Sequence, residues 1–383
     1  MLERVRPVLP RAGITRLADI THLDRLGVPV TLALRPNSPT LVCASGKGLT
    51  LDAALVSGAM EAIEIHHAER VSLPSIHAAH HELGGEIATI PVELLPLTRR
   101  SLFRADRPTR WTFGWDLFRQ RETAVPWSVV SFEREPVRDP EMMPFQSSTN
   151  GLASGENLLE AVCHALFEVI ERDACECHAA VSAQREHLPP RVRPETIEYP
   201  LVQDLLGRLE RADVEVLILD CAVDTDVPVY TAFLTDVSER GVGISSGHGA
   251  HLDPEVAMLR AITEAVQVRA VIVAGSRDDL FRKRQRQIRR FDNNESRRLL
   301  CALPAVVDAG ARRSEATATF EGDVHAVLTR LAGIGLDQVI VFDLSRPEFP
   351  LHVVKVVVPG LESPLLPFAS IGARARAFAR NRT

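Results

Sequence analysis

Six glutamates, Glu61, Glu64, Glu160, Glu168, Glu171 and Glu264, fall within three copies of one phrase. Residues 51–64 read LDAALVSGAMEAIE, residues 158–171 read LLEAVCHALFEVIE, and residues 254–267 read PEVAMLRAITEAVQ. Glu61, Glu168 and Glu264 occupy one place in the phrase. Glu64, Glu171 and Gln267 occupy another, three residues on. Residues three apart share one side of a helix, one turn up. Carboxylates gathered in one place repel each other, and the repulsion grows as water is removed. They must sit in water, share protons or bind cations. If the three helices converge, a purely oxygen donor set points to Mg²⁺ or Ca²⁺ rather than zinc.

Each copy follows a stretch rich in Gly and Ser: CASGKGLT (43–50), SSTNGLASGEN (147–157) and GISSGHGAHLD (243–253). These read as flexible loops ahead of helices, suited to hold phosphate oxygens on backbone N–H groups at the helix starts. The plainer alternative is that glycine and serine merely suit turns and caps. Lys47 in SGKG adds a point charge, although the loop has no Walker spacing. Arg172 sits beside Glu171, and Arg260 lies one turn before Glu264. Each is either an ion-pair partner or a group that neutralises phosphate. The spacing thus describes a nucleotide–magnesium site built on acidic helices. A carboxylate-rich calcium-binding structural protein would leave the arginines and glycines without a role.

At about 100° per residue, Glu160, His164, Glu168 and Glu171 share one side of the middle helix, with Leu159, Val162, Leu166, Val169 and Ile170 opposite. The helix is expected to run on through Cys175, Cys177 and His178. These are spaced wrongly for a zinc pair and read as small structural residues. Five histidines, His66, His67, His77, His80 and His81, surround Pro74 without a clean pairing, which disfavours a metal role there too. The basic run 281–300, FRKRQRQIRRFDNNESRRLL, reads as a solvated helix or loop.

The elements that must position these groups alternate. Strands are expected around a turn in 28–44, twice in 213–235, and at 338–343 and 351–358. Helices are expected at 50–68, 156–182, 196–210, 254–275 and 322–334, giving a mixed α/β fold. The whole chain, 1–383, reads as one domain, with core motifs at about 40–280 and residues 281–383 completing the fold. Of the 383 residues, 45% are hydrophobic and 25% charged, and the net charge is −6. That balance suits a soluble protein and argues against a nucleic-acid binder. The charged, proline-containing start is unlike a signal peptide, and no apolar run of about 18 residues exists to span a membrane. Six scattered cysteines fit reduced thiols in the cytoplasm.

The same text resembles the YcaO family: SGAMEAIE (57–64), STNGLASGENLLEAVCHALFEVIERDA (148–174), GHGAHLDPEVAMLRAITEAVQVRA (247–270) and GSRDD (275–279). The likeness runs from about residue 10 to 280 and weakly beyond. It implies a compact α/β domain of mixed sheets that binds ATP between acidic helices, with Mg²⁺ bridging phosphates to Glu61, Glu64, Glu160, Glu168, Glu171 and Glu264. It places Glu168, Glu171 and Arg172 at the chemistry, and Lys47, Asn150, Arg172, Arg260 and Gln267 against nucleotide. It implies activation of a peptide backbone amide by O-phosphorylation. In the family a nucleophile attacks the amide carbonyl, the oxyanion takes the γ-phosphoryl group and phosphate leaves; a side chain gives an azoline, sulfide a thioamide, an amine an amidine. A non-catalytic ATP-binding accessory role in ribosomal-protein modification is the further alternative. Azole-forming members end in alternating prolines, whereas this chain ends PLLPFASIGARARAFARNRT. That favours thioamide formation on a ribosomally made peptide or a protein, with a TfuA-like or leader-peptide-binding partner delivering it and a homodimer left open. Ile65 also stands where many relatives carry Arg.

Overall fold

The computed structural model describes residues 1–84, 87–133, 143–185, 188–237, 242–276, 293–363 and 370–381. Among these residues the strands form three sheets. β1 (Arg16–Asp19), β2 (Val30–Leu34) and β3 (Cys43–Lys47) make a small antiparallel sheet in that order. A six-stranded sheet runs β4 (Ser75–Ala79), β5 (Pro108–Asp116), β13 (Ile340–Asp343), β14 (His352–Val357), β7 (Leu152–Gly155), with β6 (Arg121–Pro126) also paired to β5. A five-stranded sheet runs β11 (Ser245–Ala250), β10 (Val229–Asp236), β9 (Val214–Asp220), β8 (Arg191–Val192), β12 (Ala305–Val307). The longer helices are α1 (Leu51–Ala68), α2 (Leu158–Arg185), α3 (Pro200–Arg211), α4 (Pro254–Ala274), α5 (Asn293–Ala302), α6 (Phe320–Gly333) and α7 (Ala373–Asn381). The fold is mixed α/β, as expected, and the expected strands and helices are present.

The Gly/Ser segments differ from expectation. Each contains a strand rather than a loop. β3, β7 and β11 are the edge strands of three different sheets, and each leads into α1, α2 or α4. The reason is close packing. A Cβ on Gly46 would stand 2.0 Å from the Ala54 carbonyl oxygen, and one on Gly247 would stand 2.2 Å from the Ala265 nitrogen. Glycine lets strand backbone lie directly against helix backbone, which no larger residue permits. The recurring phrase is therefore an edge strand packed on the helix that follows it.

The helix starts are chemically marked. The Thr50 hydroxyl accepts from Ala53 N at 3.2 Å, the Asp253 carboxylate accepts from Glu255 N at 2.8 Å, and Asn157 Oδ1 accepts from Glu160 N at 2.9 Å. These satisfy N–H groups that lack intrahelical partners. α2 packs against β7 and β14 and also against α6 and α7. Its acidic stripe is accordingly no solvated face, and Glu171 is only 2% exposed. Val162, Leu166, Val169 and Ile170 are buried as expected, but Leu159, in the first turn, is 43% exposed. α2 continues unbroken through Cys175, Cys177 and His178. Among the described residues no helix is long and apolar enough to cross a membrane.

α4 is held by Arg269, whose Nε donates to Asp24 at 2.6 Å and whose guanidinium donates to Asp236 at 2.8 Å, all out of water. Breaking a buried ion network by removing one partner strands the other charges. Arg269→Met should therefore cost about 3–5 kcal/mol, read as a lowered midpoint in urea unfolding. His66 and His67 end α1 and pack on Phe349, with His67 at 4.6 Å between ring centroids. Burial pushes both imidazoles down to about 4, which keeps them neutral packing groups. Of the basic run, 281–292 lies outside the described residues; the rest belongs to α5, where Arg297 pairs with Glu215 at 2.8 Å.

Candidate functional site

The three edge-strand–helix units meet around one cavity of about 1280 Å³. Glu61, Glu64, Glu160, Glu168, Glu171, Glu264, Lys47, Arg172, Arg260 and Gln267 all line it. Ten of the eleven residues expected from the sequence are thus brought together. Asn150 is not at the wall; its Nδ2 donates to the Ser363 hydroxyl at 3.5 Å, while its neighbour Thr149 lines the cavity.

The edge strands aim the carboxylates. An outer strand edge carries backbone donors with no strand to pair with. In β3 the Ser45 N–H donates to Glu61. In β7 both the Ser154 N–H and its hydroxyl donate to Glu64, the hydroxyl at 2.5 Å. Ser45 also accepts two bonds from Gln267 Nε2, at 2.6 Å on its carbonyl and 2.9 Å on its hydroxyl. Gln267 therefore ties α4 to β3 at the cavity wall. Glu160 has a structural duty as well, since its carboxylate accepts from Glu156 N at 2.7 Å near the start of α2.

Burial dominates the electrostatics. It pushes Glu61 up to about 7, with Lys47 pulling the other way and Glu264 adding to the rise. It pushes Glu64 up to about 8, against the Ser154 hydrogen bond and reinforced by Glu61 and Glu168. Glu168 is raised by burial too, although Arg172 opposes it. Glu264 ends low: burial would raise it, but Lys47 at 2.6 Å and Arg172 outweigh that. Burial, more than mutual repulsion, raises three of these carboxyls, and a bound cation would favour their charged forms.

The donor set fits a hard divalent cation. It is carboxylate oxygen throughout, although among the described residues no three metal-binding side chains close on a common point. Six carboxylates around one cavity, three of them pushed towards protonation by burial, match what such ions need. The cations are divided in a telling way. Lys47 is committed to Glu264, and Arg172 Nε stands 3.8 Å from Glu171. Arg260 Nε is buried with no hydrogen bond among the described residues. A buried guanidinium donor without an acceptor is costly, and an anionic oxygen would satisfy it. Arg260→Ala should raise the KM for ATP by about tenfold, the worth of one hydrogen bond to a charged group, measured by steady-state ATP hydrolysis.

Besides Ser45 and Ser154, a buried lysine behind the cavity escaped the sequence reading. Lys355 on β14 is 3% exposed, and its Nζ donates to the Ser148 carbonyl at 2.7 Å. Burial pulls its ammonium down, against the pull of Glu168. The signal was present in HVVKVV, a lone lysine in a strand otherwise composed for burial. Such a lysine must have partners.

A family model described as YcaO cyclodehydratase, ATP- and Mg²⁺-binding, matches residues 45–362. The chain belongs to the YcaO family. The match extends well past residue 280, where the sequence likeness weakens, and takes in β13 and β14, the second of which pairs with β7 in the six-stranded sheet. A protein in the tfuA 3′ region of Rhizobium leguminosarum bv. trifolii is 34% identical over 94% of this chain and 86% of its own length. A protein of Methanothermobacter thermautotrophicus is 34% identical over 96% of this chain and 94% of its own. Among solved structures, YcaO from Methanopyrus kandleri bound with AMPPCP and Mg²⁺ superposes with a TM-score of 0.70 at 24% identity, covering 94% of this chain and 90% of that one. A heterocyclase in complex with substrate and cofactor gives 0.75 at 24% identity, covering 92% of this YcaO chain but half of the heterocyclase. ATP and Mg²⁺, the cofactors expected from the glutamates and arginines, are those of the family.

Proposed function

We propose that this YcaO protein is an ATP- and Mg²⁺-dependent enzyme that activates a peptide backbone amide and converts it to a thioamide. The observation that supports amide activation is the joining of an orphaned buried Arg260 donor to a ring of carboxylates in one cavity. Magnesium–ATP supplies the phosphoryl group that makes the amide oxygen a leaving group. The six glutamates would hold the cations, and Arg260 and Arg172 would offset charge on the phosphates. Ser45 and Ser154 keep Glu61 and Glu64 aimed before anything binds, so little reorganisation accompanies reaction.

Two observations favour sulfur over ring closure. One relative lies in a tfuA region, which points to a TfuA-like partner that delivers sulfur or substrate. The C-terminal helix is also engaged elsewhere. Arg374 on α7 donates from Nε to both oxygens of Asp173 on α2 at 2.9 Å, and Asp173 is fully buried. Glu362 N donates to the same Asp173 carboxylate at 2.8 Å, and Glu362 in turn accepts from Gly372 N and Ala375 N, each at 2.9 Å. This circuit clasps α7 to the outside of α2. Among the described residues none beyond Ile272 lines the cavity.

The test is the mass of a peptide encoded beside the gene after incubation with ATP, Mg²⁺, sodium sulfide and the partner protein. Replacement of one oxygen by sulfur is the expected change. Loss of one water would make the protein an azoline-forming cyclodehydratase instead, and no change with any candidate peptide would leave it an accessory ATP-binding factor.

A further inference from the structure

The cavity has two unlike ends. Along α4 its wall runs from Arg260 through Glu264 and Gln267 to Val268, Val271 and Ile272. The helix rises about 18 Å from Arg260 to Ile272. β3 runs opposite to α4, since Lys47 meets Glu264 and Ser45 meets Gln267. Leu41, ahead of β3, therefore lines the cavity at the Ile272 end. One end is apolar, and the other holds the unsatisfied Arg260 donor. A nucleotide matches that polarity, with its base towards Ile272 and its phosphates towards Arg260. The amide to be activated must meet the outermost phosphoryl group, so the peptide has to approach at the Arg260 end.

That end carries exposed apolar groups. His164 is on the cavity wall, between Glu160 and Glu168 on the α2 stripe. Its ring meets Phe320, the first residue of α6, edge to face at 6.4 Å between centroids. Phe320 is 39% exposed, although α6 packs on α2. Val256 lies one turn before Arg260 on the same face of α4 and is exposed, as is Leu159 in the first turn of α2. The starts of these three helices are tied together. Glu315 N, ahead of α6, donates to the Leu252 carbonyl, ahead of α4, at 3.1 Å. Phe167 on α2 packs on His251, also ahead of α4, at 4.7 Å between ring centroids. α2, α4 and α6 thus begin at one rim of the cavity, and each presents an exposed apolar side chain in its first turn. Apolar groups gathered from separate elements beside a site mark a surface that binds something.

We propose that Phe320 and His164 form a subsite for the substrate peptide and receive an aromatic or large aliphatic side chain next to the amide being modified. The inference rests on the amide-activating reading given above and adds a preference in the substrate. An incoming ring extends the edge-to-face pair that His164 and Phe320 already make. Glu160 stands one turn from His164 on the same face, so an acidic side chain would be repelled there. A neutral apolar one is indifferent to that charge and loses water on binding.

The test uses blocked dipeptides and needs neither sulfur nor turnover. N-acetylphenylalanylglycinamide and N-acetylalanylglycinamide are titrated separately into full-length protein with Mg²⁺, with and without AMPPCP, and binding is read by saturation-transfer NMR. The phenylalanyl probe should bind saturably and about tenfold tighter than the alanyl probe. Phe320→Ala should weaken it about tenfold, Phe320→Trp should keep it, and AMPPCP affinity should be the same in both variants. Equal affinity for the two probes, or a phenylalanyl affinity untouched by Phe320→Ala, overturns the subsite. Displacement of the probe by AMPPCP overturns it too, because the rim would then hold the base. A Phe320→Ala protein that loses affinity only for the partner protein makes the rim a protein interface and likewise overturns the subsite. The outcome is independent of the mass assay: probe binding stands where no sulfur is incorporated, and its failure leaves the thioamide reading untouched.

Discussion

Glu171→Gln is expected to lower peptide-dependent ATP hydrolysis by about a hundredfold or more, the usual cost of removing one preorganised charge from a transition state. The substitution keeps shape and removes only charge. Glu171 is buried at the cavity wall beside Arg172, one turn past Glu168 on α2. Taking one negative charge out of a mutually repelling group should leave thermal stability unchanged or raised. Loss of turnover in a protein that melts no earlier would separate a catalytic role from a packing role. Undiminished turnover would remove Glu171 from the chemistry, and Glu168→Gln tests the neighbouring position in the same way.

The second large effect is on stability and depends on pH. Glu61 and Glu64 have folded-state values of about 7 and about 8 against an ordinary 4.5, both raised by burial. Between about pH 4.5 and 8 the folded protein keeps protons that the unfolded chain has released, so stability falls as pH rises through that window. Each unit is worth about 1.4 kcal/mol, and the two groups together amount to several kcal/mol. Glu168 shifts in the same direction. Glu264 is depressed, so its contribution is present above 4.5, constant across this window, and lost only in stronger acid. The melting temperature without divalent ions should therefore drop between about pH 5 and 8.5. With Mg²⁺ and AMPPCP the drop should flatten, because bound cations replace the protons. A metal-independent slope would mean that the carboxylates do not bind cations.

Much of this was legible before the coordinates. The threefold phrase located α1, α2 and α4 and the glutamates that face one cavity, because i, i+3 spacing is a statement about one helix face. What stayed hidden was what stands across from those helices. Gly46 and Gly247 read as loop formers, since a glycine that permits a turn and a glycine that permits strand-on-helix contact look the same in one dimension. For the same reason Ser45 and Ser154 passed as linker residues, although they carry the hydrogen bonds that aim Glu61 and Glu64. Leu159 was misassigned because a helical wheel ignores where the helix emerges from its packing. The β5–β6 pair was overlooked despite the alternation of Trp111, Phe113 and Trp115.

The central claim is that the acidic cavity binds nucleotide through divalent cations. Calorimetric titration of AMPPCP into the protein, with Mg²⁺ and then with EDTA, tests it most directly. Saturable binding that requires Mg²⁺ and is lost in Glu168→Gln is the result this account predicts. Equal binding in EDTA, or undiminished binding in Glu168→Gln, would contradict it.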